Sequence, residues 1–196
     1  MSDDKLERME AAYRLILGEL GVNVEAPDLT DTPRRAAKAL LDLTAGYRED
    51  LAPHLRTFSE PCADQLVLVG PVPFWSLCEH HLLPFRGVAV VGYIPEKGRI
   101  IGLSKIPRII QHHARRLQNQ ERLGNAIATE LDNVPGLNPR GVGVLISSEH
   151  SCMASRGVRS AGRMTTSALR GIIFDRPESR AEFLALARDE MRRGSR

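Results

Sequence analysis

The stretch Cys78-Glu79-His80-His81 places a thiol and an imidazole three residues apart, so that both can reach one metal ion. Far downstream, His150-Ser151-Cys152 repeats the pairing of thiol and imidazole. Zinc favours thiolate and imidazole ligands, and a catalytic zinc site keeps one of its four positions for water. Cys78, His81 and Cys152 supply three ligands, which predicts an open site with Zn²⁺ as the cofactor.

Two further histidines, His80 and His150, each lie within two residues of a predicted ligand. In an extended segment His80 would point away from its neighbours, and a free histidine beside a zinc site can act as a general acid or base near neutral pH. Either histidine could instead complete a four-ligand structural site, and spacing does not exclude this. A buried free cysteine beside surface histidines is the alternative without a metal.

Composition sets the class of protein. The chain has 196 residues, 42% hydrophobic and 26% charged, which predicts a single globular domain. No apolar run approaches the roughly 20 residues that cross a bilayer, and the N-terminus lacks an apolar signal segment. We therefore expect a cytoplasmic protein without a membrane partner. Three cysteines, an odd number, favour metal binding over disulfides, and the net charge of +3 suits an anionic ligand.

Apolar periodicity predicts an α+β fold with an antiparallel sheet. Helices are expected over residues 5–20, 32–47, 104–133 and from 177, and strands over 65–69, 85–94, 100–103, 141–147 and 164–174. Pro71 and Pro73 are expected to end the first strand. In the long helix, Gln120 and Glu121 fall on an otherwise apolar face, where bare polar side chains are costly. Either they bind a partner, or the helix breaks near residues 115–119.

Basic side chains mark a candidate anion site. Ser104-Lys105-x-x-Arg108 stands at a helix start, where free N–H groups and the helix dipole attract phosphate. Arg156 follows the second metal segment, and Arg35 and Lys38 add positive charge on the second helix. Together they carry enough charge for a polyphosphate, although each could be an ordinary solvated residue. No P-loop sequence is present, so a nucleotide would be held by side chains.

Four ordered motifs together resemble GTP cyclohydrolase I: Ser76-Leu77-Cys78-Glu79-His80-His81, Gly102-Leu103-Ser104-Lys105-x-x-Arg108, Gln118-x-Gln120-Glu121-Arg122 and His150-x-Cys152-Met153-x-x-Arg156-Gly157. The resemblance implies a T-fold subunit, an antiparallel sheet with helices packed on one side and an N-terminal helical extension. It further implies a toroidal homodecamer with active sites at subunit interfaces. We expect a helical region over residues 1–60, a T-fold catalytic region over 61–190 and a basic tail over 191–196.

The resemblance also implies an activity, the zinc-dependent hydrolysis of GTP to formate and 7,8-dihydroneopterin triphosphate, the first step of tetrahydrofolate or other pterin biosynthesis. Cys78, His81 and Cys152 correspond to the zinc ligands. The groups that move protons correspond to His80, His150 and Ser104. The substrate contacts correspond to Gln120 and Glu121 on the guanine edge and to Ser104, Lys105, Arg108, Arg156, Arg35 and Lys38 on the phosphates. Glu121 can accept from two guanine N–H donors at once, which adenine does not offer.

Three departures from the family pattern are Trp75 in place of Tyr or Phe, Asn119 in place of an aliphatic residue and Ser155 in place of Met. They leave room for a paralogue that uses the same first reaction in a deazapurine or specialised pterin pathway. A different T-fold enzyme, such as a nitrile reductase, is an alternative, but such enzymes do not combine this zinc set with Gln120-Glu121 and the basic helix start. A catalytically silent regulatory subunit is another, but no predicted catalytic residue is missing. A zinc-stabilised binding protein for nucleic acid fits the isoelectric point of about 9.0, but 5% aromatic residues offer few stacking platforms.

Overall fold

The computed structural model describes residues 3–193, which fall into two compact units, one up to Ala45 and one from Gly46 onward. Of the predicted basic tail over 191–196, the first three residues end the last helix, and residues 194–196 lie outside the described part. Within residues 3–193, no helix has the length and apolar character needed to cross a membrane.

The first unit contains two helices, α1 Asp3–Glu19 and α2 Thr32–Leu43. Their contact is a small apolar cluster made of Leu6, Ala37 and Leu41, with Met9 and Tyr13 packed against it. Pro33 occupies the first turn of α2, where its missing N–H removes no helical bond. The helix predicted to reach residue 47 ends at Leu43, and a 3₁₀ turn follows over Ala45–Tyr47.

The second unit is built on a five-stranded sheet in the order β5-β2-β3-β6-β7. Its strands are β2 Val67–Cys78, β3 Pro84–Ile94, β5 Leu117–Gln118, β6 Gly141–His150 and β7 Arg163–Gly171. All neighbours are antiparallel except β2 and β5, which are parallel. A separate two-stranded sheet pairs β1 Thr57–Ser59 with β4 Arg99–Ile101. The predicted α+β class with a mainly antiparallel sheet is confirmed.

The prediction that two prolines end the first strand is wrong. β2 continues through Pro71 and Pro73, with a register shift between Val69 and Val72. The carbonyl of Pro73 accepts from Nε2 of Gln111 at 2.8 Å, so it points away from β3. In a strand, the N–H and C=O of one residue point to the same side, so the missing N–H of Pro73 removes no bond to β3.

The continuous helix predicted over residues 104–133 is also wrong. It is two helices, α3 Lys105–Ala114 and α4 Gln120–Asp132, with β5 between them. The break falls at residues 115–119, which confirms the alternative drawn from the polar residues on the apolar face. Because β5 pairs with the end of β2, the break brings the start of α4 beside Cys78.

Hydrogen bonds to a distant segment of the chain keep the residues between α3 and α4 out of a helix. The carbonyl of Arg115 accepts from the N–H of Gly46 at 2.9 Å, and the N–H of Leu117 donates to the hydroxyl of Tyr47 at 3.2 Å. Asn119 then caps α4, since its Oδ1 accepts from a backbone N–H in the first turn. The segment between the helices is therefore fixed at both ends.

Helices lie on both faces of the sheet. Neighbouring strand residues point to opposite faces, and on β3 Ala89 packs with α3 and α4 whereas Val90 packs with the last helix. That helix, α7 Pro177–Arg193, inserts Phe183 against Gly143, where an added Cβ would come within 2.8 Å of the ring. The expectation of helices on one side applies to α3 and α4 but not to α7. Two single-turn helices, α5 Ser151–Ala154 and α6 Ile172–Asp175, complete the unit.

Candidate active site

A tight turn between β2 and β3 brings the first two predicted metal ligands together. The N–H of Cys78 donates to the carbonyl of Leu83 at 2.8 Å, and the carbonyl of Cys78 accepts from the N–H of Leu82 at 2.9 Å. Leu82 has a φ of 55°, the left-handed conformation that lets the chain reverse within a few residues. As a result, Sγ of Cys78 lies 3.6 Å from Nδ1 of His81.

The third predicted ligand arrives from the next strand. β6 pairs with β3 so that His150 lies opposite Phe85, at the start of β3 beside the turn. Cys152 follows in α5, and its Sγ completes a group of three ligand atoms that all lie within 4.8 Å of one another. The fold thus brings Cys152 to Cys78 and His81, which lie about seventy residues earlier in the chain, as predicted.

The donor set of this group suits a metal ion. Two thiols and one imidazole are ligands that zinc prefers, and three protein atoms leave room in a four-coordinate site. Burial raises the pKa of the Cys152 thiol, and the neighbouring Cys78 raises it further. A bound cation would reverse this tendency by stabilising the thiolates. Within residues 3–193, these three residues are the one group of at least three His, Cys, Asp or Glu side chains close enough to share an ion.

His150 stands beside the metal group in a restrained position. Its ring stacks on Phe85 with centroids 4.5 Å apart and planes within 5°. Its Nε2 lies 3.1 Å from Oε1 of Gln120. Burial lowers the pKa of His150, and the charge of Glu121 raises it to a smaller extent. The imidazole of His150 is thus half-buried, restrained by Phe85 and Gln120, and close to the acidic side chain of Glu121.

His80 lies at the surface of the same turn. Its side chain is 68% exposed, its Nε2 is 3.6 Å from Oε1 of Glu79, and its ring centroid is 6.3 Å from that of His81. The expectation that His80 points away assumed an extended segment, whereas Glu79–His81 form a turn, and His80 is not part of the group of ligand atoms.

Sequence reasoning missed the role of Glu79, the residue between the first ligand and His80. Both guanidinium nitrogens of Arg122 donate to its carboxylate, and Nδ2 of Asn119 donates to Oε1 at 3.0 Å. The hydrogen bond from Arg122 lowers the pKa of Glu79. These bonds join the turn between β2 and β3, which carries Cys78 and His81, to the first turn of α4. The signal was available, because an acidic residue inside one motif and an arginine inside another suggest an ion pair.

Gln120, predicted to contact the guanine edge, is 1% exposed and bonded within the protein. Its amide partners are Ile146 O at 3.3 Å, Met164 O at 3.2 Å, Thr166 Oγ1 at 3.0 Å, Ser148 Oγ and His150 Nε2. The sequence indicated that this polar residue needs hydrogen-bond partners, and the protein itself supplies them. The neighbouring Glu121, by contrast, is exposed.

The predicted phosphate contacts lie on several elements. Ser104 precedes α3, Lys105 begins it half-buried, and Arg108 is exposed one turn later on the wall of a cleft of about 530 Å³. Arg156 is exposed after α5, close enough that its charge lowers the pKa of Cys152 slightly against the larger effect of burial. Two more residues, Arg35 and Lys38, are exposed on α2 in the first unit.

Comparisons with known proteins give one consistent result. The family model for GTP cyclohydrolase I matches residues 9–188. The GTP cyclohydrolase 1 of Mycobacterium avium is 49% identical over 181 residues, covering 91% of this chain and 88% of that protein. The Alkalilimnicola ehrlichii protein of the same name is 48% identical over 185 residues, 93% and 98% of the two chains. The Acetivibrio thermocellus protein, also so named, is 45% identical over 181 residues, 92% and 96%.

Among solved structures, the apo form of the archaeosine synthase QueF-Like is similar with a TM-score of 0.42 and 18% identity, over 54% of this chain and 93% of that chain. Those values are too low to support a conclusion about this protein. The match to the family model spans most of the chain, and the relatives align over nearly their full length. The chain belongs to the GTP cyclohydrolase I family.

Proposed function

We propose that this protein is a GTP cyclohydrolase I, which hydrolyses GTP to formate and 7,8-dihydroneopterin triphosphate at the first step of tetrahydrofolate or other pterin biosynthesis. One observation carries the proposal: Cys78, His81 and Cys152 converge within 4.8 Å beside a restrained His150 in a chain of this family. Hydrolysis of the guanine imidazole ring requires water at C8 and a proton at the departing nitrogen. The site offers groups for both tasks.

Cys78, His81 and Cys152 would hold Zn²⁺, because two sulfurs and one imidazole nitrogen match its preferred ligands. When bound, zinc supplies a Lewis acid that lowers the pKa of water toward neutrality. His150 would accept a proton from the water that attacks C8 and pass it to the guanine nitrogen as the C8–N bond breaks. The exposed His80 would exchange protons with solvent, and Ser104 would assist during the later ribose rearrangement.

Recognition of the base would rest on Glu121. Its carboxylate is exposed, and its charge reaches His150, so it lies near the proposed chemistry. A carboxylate can accept from two N–H donors of guanine together, which distinguishes guanine from adenine. The contact of Gln120 with the base stays a prediction, and it would require the buried amide to exchange its internal partners.

The triphosphate would be bound by basic and hydroxyl groups from three regions. Ser104, Lys105 and Arg108 stand at the start of α3, where the helix dipole favours an anion. Arg156 follows the metal segment, and Arg35 and Lys38 lie exposed on α2. The last two would reach the phosphates of a site on a neighbouring subunit.

We further propose a T-fold subunit in a toroidal homodecamer, located in the cytoplasm. We propose a helical region over residues 1–60, a catalytic region over 61–190, which lies within the unit that begins at Gly46, and a basic tail over 191–196. Within the described residues, β7 has no strand on its outer side, and β2 is paired on its outer side only by the two residues of β5. Open edges of this kind can pair between subunits and close a ring.

The decisive test is incubation of the zinc-loaded protein with GTP, followed by pteridine fluorescence and formate. We expect both products in equal amounts. Glu121→Gln should raise the KM for GTP at least about tenfold, because a charge-assisted contact with the base is weakened, whereas the exposed Glu178→Gln on α7 should leave it unchanged. Zinc-loaded, folded protein that releases no formate from GTP would refute the proposed function.

A further inference from the structure

We propose that Gln120 is a positioning residue that holds His150 in one orientation and one tautomer, with the proton on Nε2, so that Nδ1 is the nitrogen that exchanges protons with substrate. The inference deepens the proposed function, because it concerns the same proton-transfer histidine. In this proposal Gln120 does not contact the guanine edge, as the family resemblance implied, but acts on the reaction by positioning His150.

The orientation of the Gln120 amide follows from its backbone partners. Its Nε2 lies 3.3 Å from the carbonyl of Ile146 and 3.2 Å from the carbonyl of Met164. A carbonyl oxygen only accepts hydrogen bonds, so the end of the amide that faces two carbonyls must be the NH₂ group. The usual ambiguity between amide oxygen and nitrogen is therefore removed by the protein itself. The hydroxyl of Thr166, at 3.0 Å from Nε2, is compatible with the same assignment.

The opposite end of the amide then fixes the histidine. With Nε2 assigned to the carbonyls, Oε1 faces the hydroxyl of Ser148 and Nε2 of His150, the latter at 3.1 Å. An amide oxygen has no hydrogen to give, so both neighbours must donate. His150 consequently carries its proton on Nε2, and in the neutral imidazole the lone pair belongs to Nδ1. Stacking on Phe85 at 4.5 Å restrains the plane of the same ring.

The fold explains why this arrangement is rigid. Ile146, Ser148 and His150 are alternate residues of β6, and alternate residues share one face of a strand. Gln120 is the first residue of α4 and lies across this row with 1% of its surface exposed. Its amide thus contacts three successive positions on one face of the strand. Rotation of His150 would break a half-buried bond to Gln120 that the strand and helix maintain together.

The same contacts argue against a direct role in base recognition. Both N–H groups of the Gln120 amide are used by acceptors in the protein, and both lone pairs of Oε1 face donors. A residue that reads a base needs donors or acceptors that are free when the base arrives. Glu121, the next residue, has an exposed carboxylate and meets that requirement.

Kinetics separate the two roles. Gln120→Met preserves the length of the side chain and removes its hydrogen bonds. We expect kcat to fall about 10- to 100-fold, as is typical when the partner that orients a functional group is lost, with the KM for GTP changed by less than about twofold. Thr166→Val is the matched control, because it removes one partner of the amide and leaves both carbonyls in place. Its kcat should stay within about twofold of wild type.

Equilibrium binding supplies the second arm. His150→Asn is expected to stall turnover, so the Kd of GTP can be measured on it with and without Gln120→Met. An unchanged Kd supports positioning, and a Kd weakened about tenfold or more would show that Gln120 contacts the substrate and would overturn the inference. The wild-type protein, measured alongside, reports on the proposed function separately, because its formate release does not depend on either variant.

A spectroscopic readout requires no variant at Gln120. In zinc-loaded protein labelled with ¹⁵N-histidine, the His150 signals, assigned by their absence in His150→Asn, should show the tautomer protonated at Nε2. A proton on Nδ1 with a bare Nε2 would overturn the inference, whether or not Gln120→Met folds. If Gln120→Met loses its cooperative thermal transition, Gln120→Asn replaces it in the kinetic test. Gln120→Asn keeps the amide but is too short to reach His150, so we expect the same fall in kcat.

Discussion

Glu79 and Arg122 form a two-point ion pair, in which Nη1 of the arginine donates to Oε2 and Nη2 donates to Oε1 at 3.1 Å. Glu79 lies inside the turn between β2 and β3 that carries Cys78 and His81, and Arg122 lies in the first turn of α4. The Arg122 side chain is 56% exposed, so the pair adds little to stability. Its geometric effect is larger, because it aligns the turn that carries Cys78 and His81 with the helix that begins at Gln120.

Arg122→Ala should therefore affect the site more than the fold. We expect zinc affinity to fall about tenfold, as is usual when a group that orients ligands is removed, and the free energy of unfolding to change by less than about 1 kcal/mol. Competition with a chromophoric chelator and urea unfolding measure the two quantities. Arg192→Ala is the control, because its exposed pair with Asp189 lies on α7. Equal zinc affinity in both variants would contradict the alignment role.

The cysteines allow a matched test of the metal site. Cys152→Ser replaces one of three ligand atoms, and we expect the protein to be isolated with little zinc and with formate release reduced by at least about 100-fold. Cys62→Ser changes an exposed free cysteine outside the group and should keep one zinc per chain and full activity. Metal analysis by mass spectrometry checks both. Full zinc content in Cys152→Ser would remove this residue from the site.

The ligand group could be predicted from residue spacing and from the types of donor atoms. Cys78 and His81 lie three residues apart, and the number and type of donors indicated that Cys152 should join them. The polar residues on an apolar face likewise indicated either a partner or a helix break, and the fold contains both. Spacing alone could not assign the partners of Gln120, because they lie on β6 and β7.

Local sequence left one feature of the fold undecided and predicted another wrongly, because distant contacts determine both. Residues 115–119 contain neither glycine nor proline, yet Gly46 and Tyr47, about seventy positions earlier, hold this segment out of the helix. Pro73 carries a strong local signal against a strand, but its missing N–H faces away from β3. In both cases the deciding fact is where a neighbour lies, which no window of sequence contains.

Phe183 provides a test of packing on the second face of the sheet. Its side chain is fully buried against Gly92 and Gly143, which leave space for the ring. Phe183→Ala should lower the free energy of unfolding by about 3–5 kcal/mol, because it leaves a large cavity. Leu186→Ala, at a position that is 46% exposed on the same helix, should cost less than about 1 kcal/mol. Similar urea midpoints for the two variants would contradict the observed packing of α7.

A buried histidine outside the active site links stability to pH. His113 is 8% exposed, and its Nε2 lies 3.2 Å from Oε2 of Glu130. Burial, together with smaller effects of the nearby His112 and Arg116, lowers the pKa of His113 to about 4. The unfolded chain, with an ordinary histidine pKa near 6.5, then binds more protons than the folded one between these values. Stability should therefore fall as the pH drops from about 6.5 to about 4.

His113→Gln should flatten this dependence, because glutamine can donate to Glu130 but does not titrate. Given the pKa of about 4 in the folded protein, the wild type should lose up to about 3 kcal/mol more than the variant over this range. Burial raises the pKa of Glu130, which acts in the opposite direction in both proteins, so the difference between them isolates the histidine. Urea unfolding at pH 7, 6 and 5 measures it. Parallel stability curves for the two proteins would show that His113 titrates normally in the folded state.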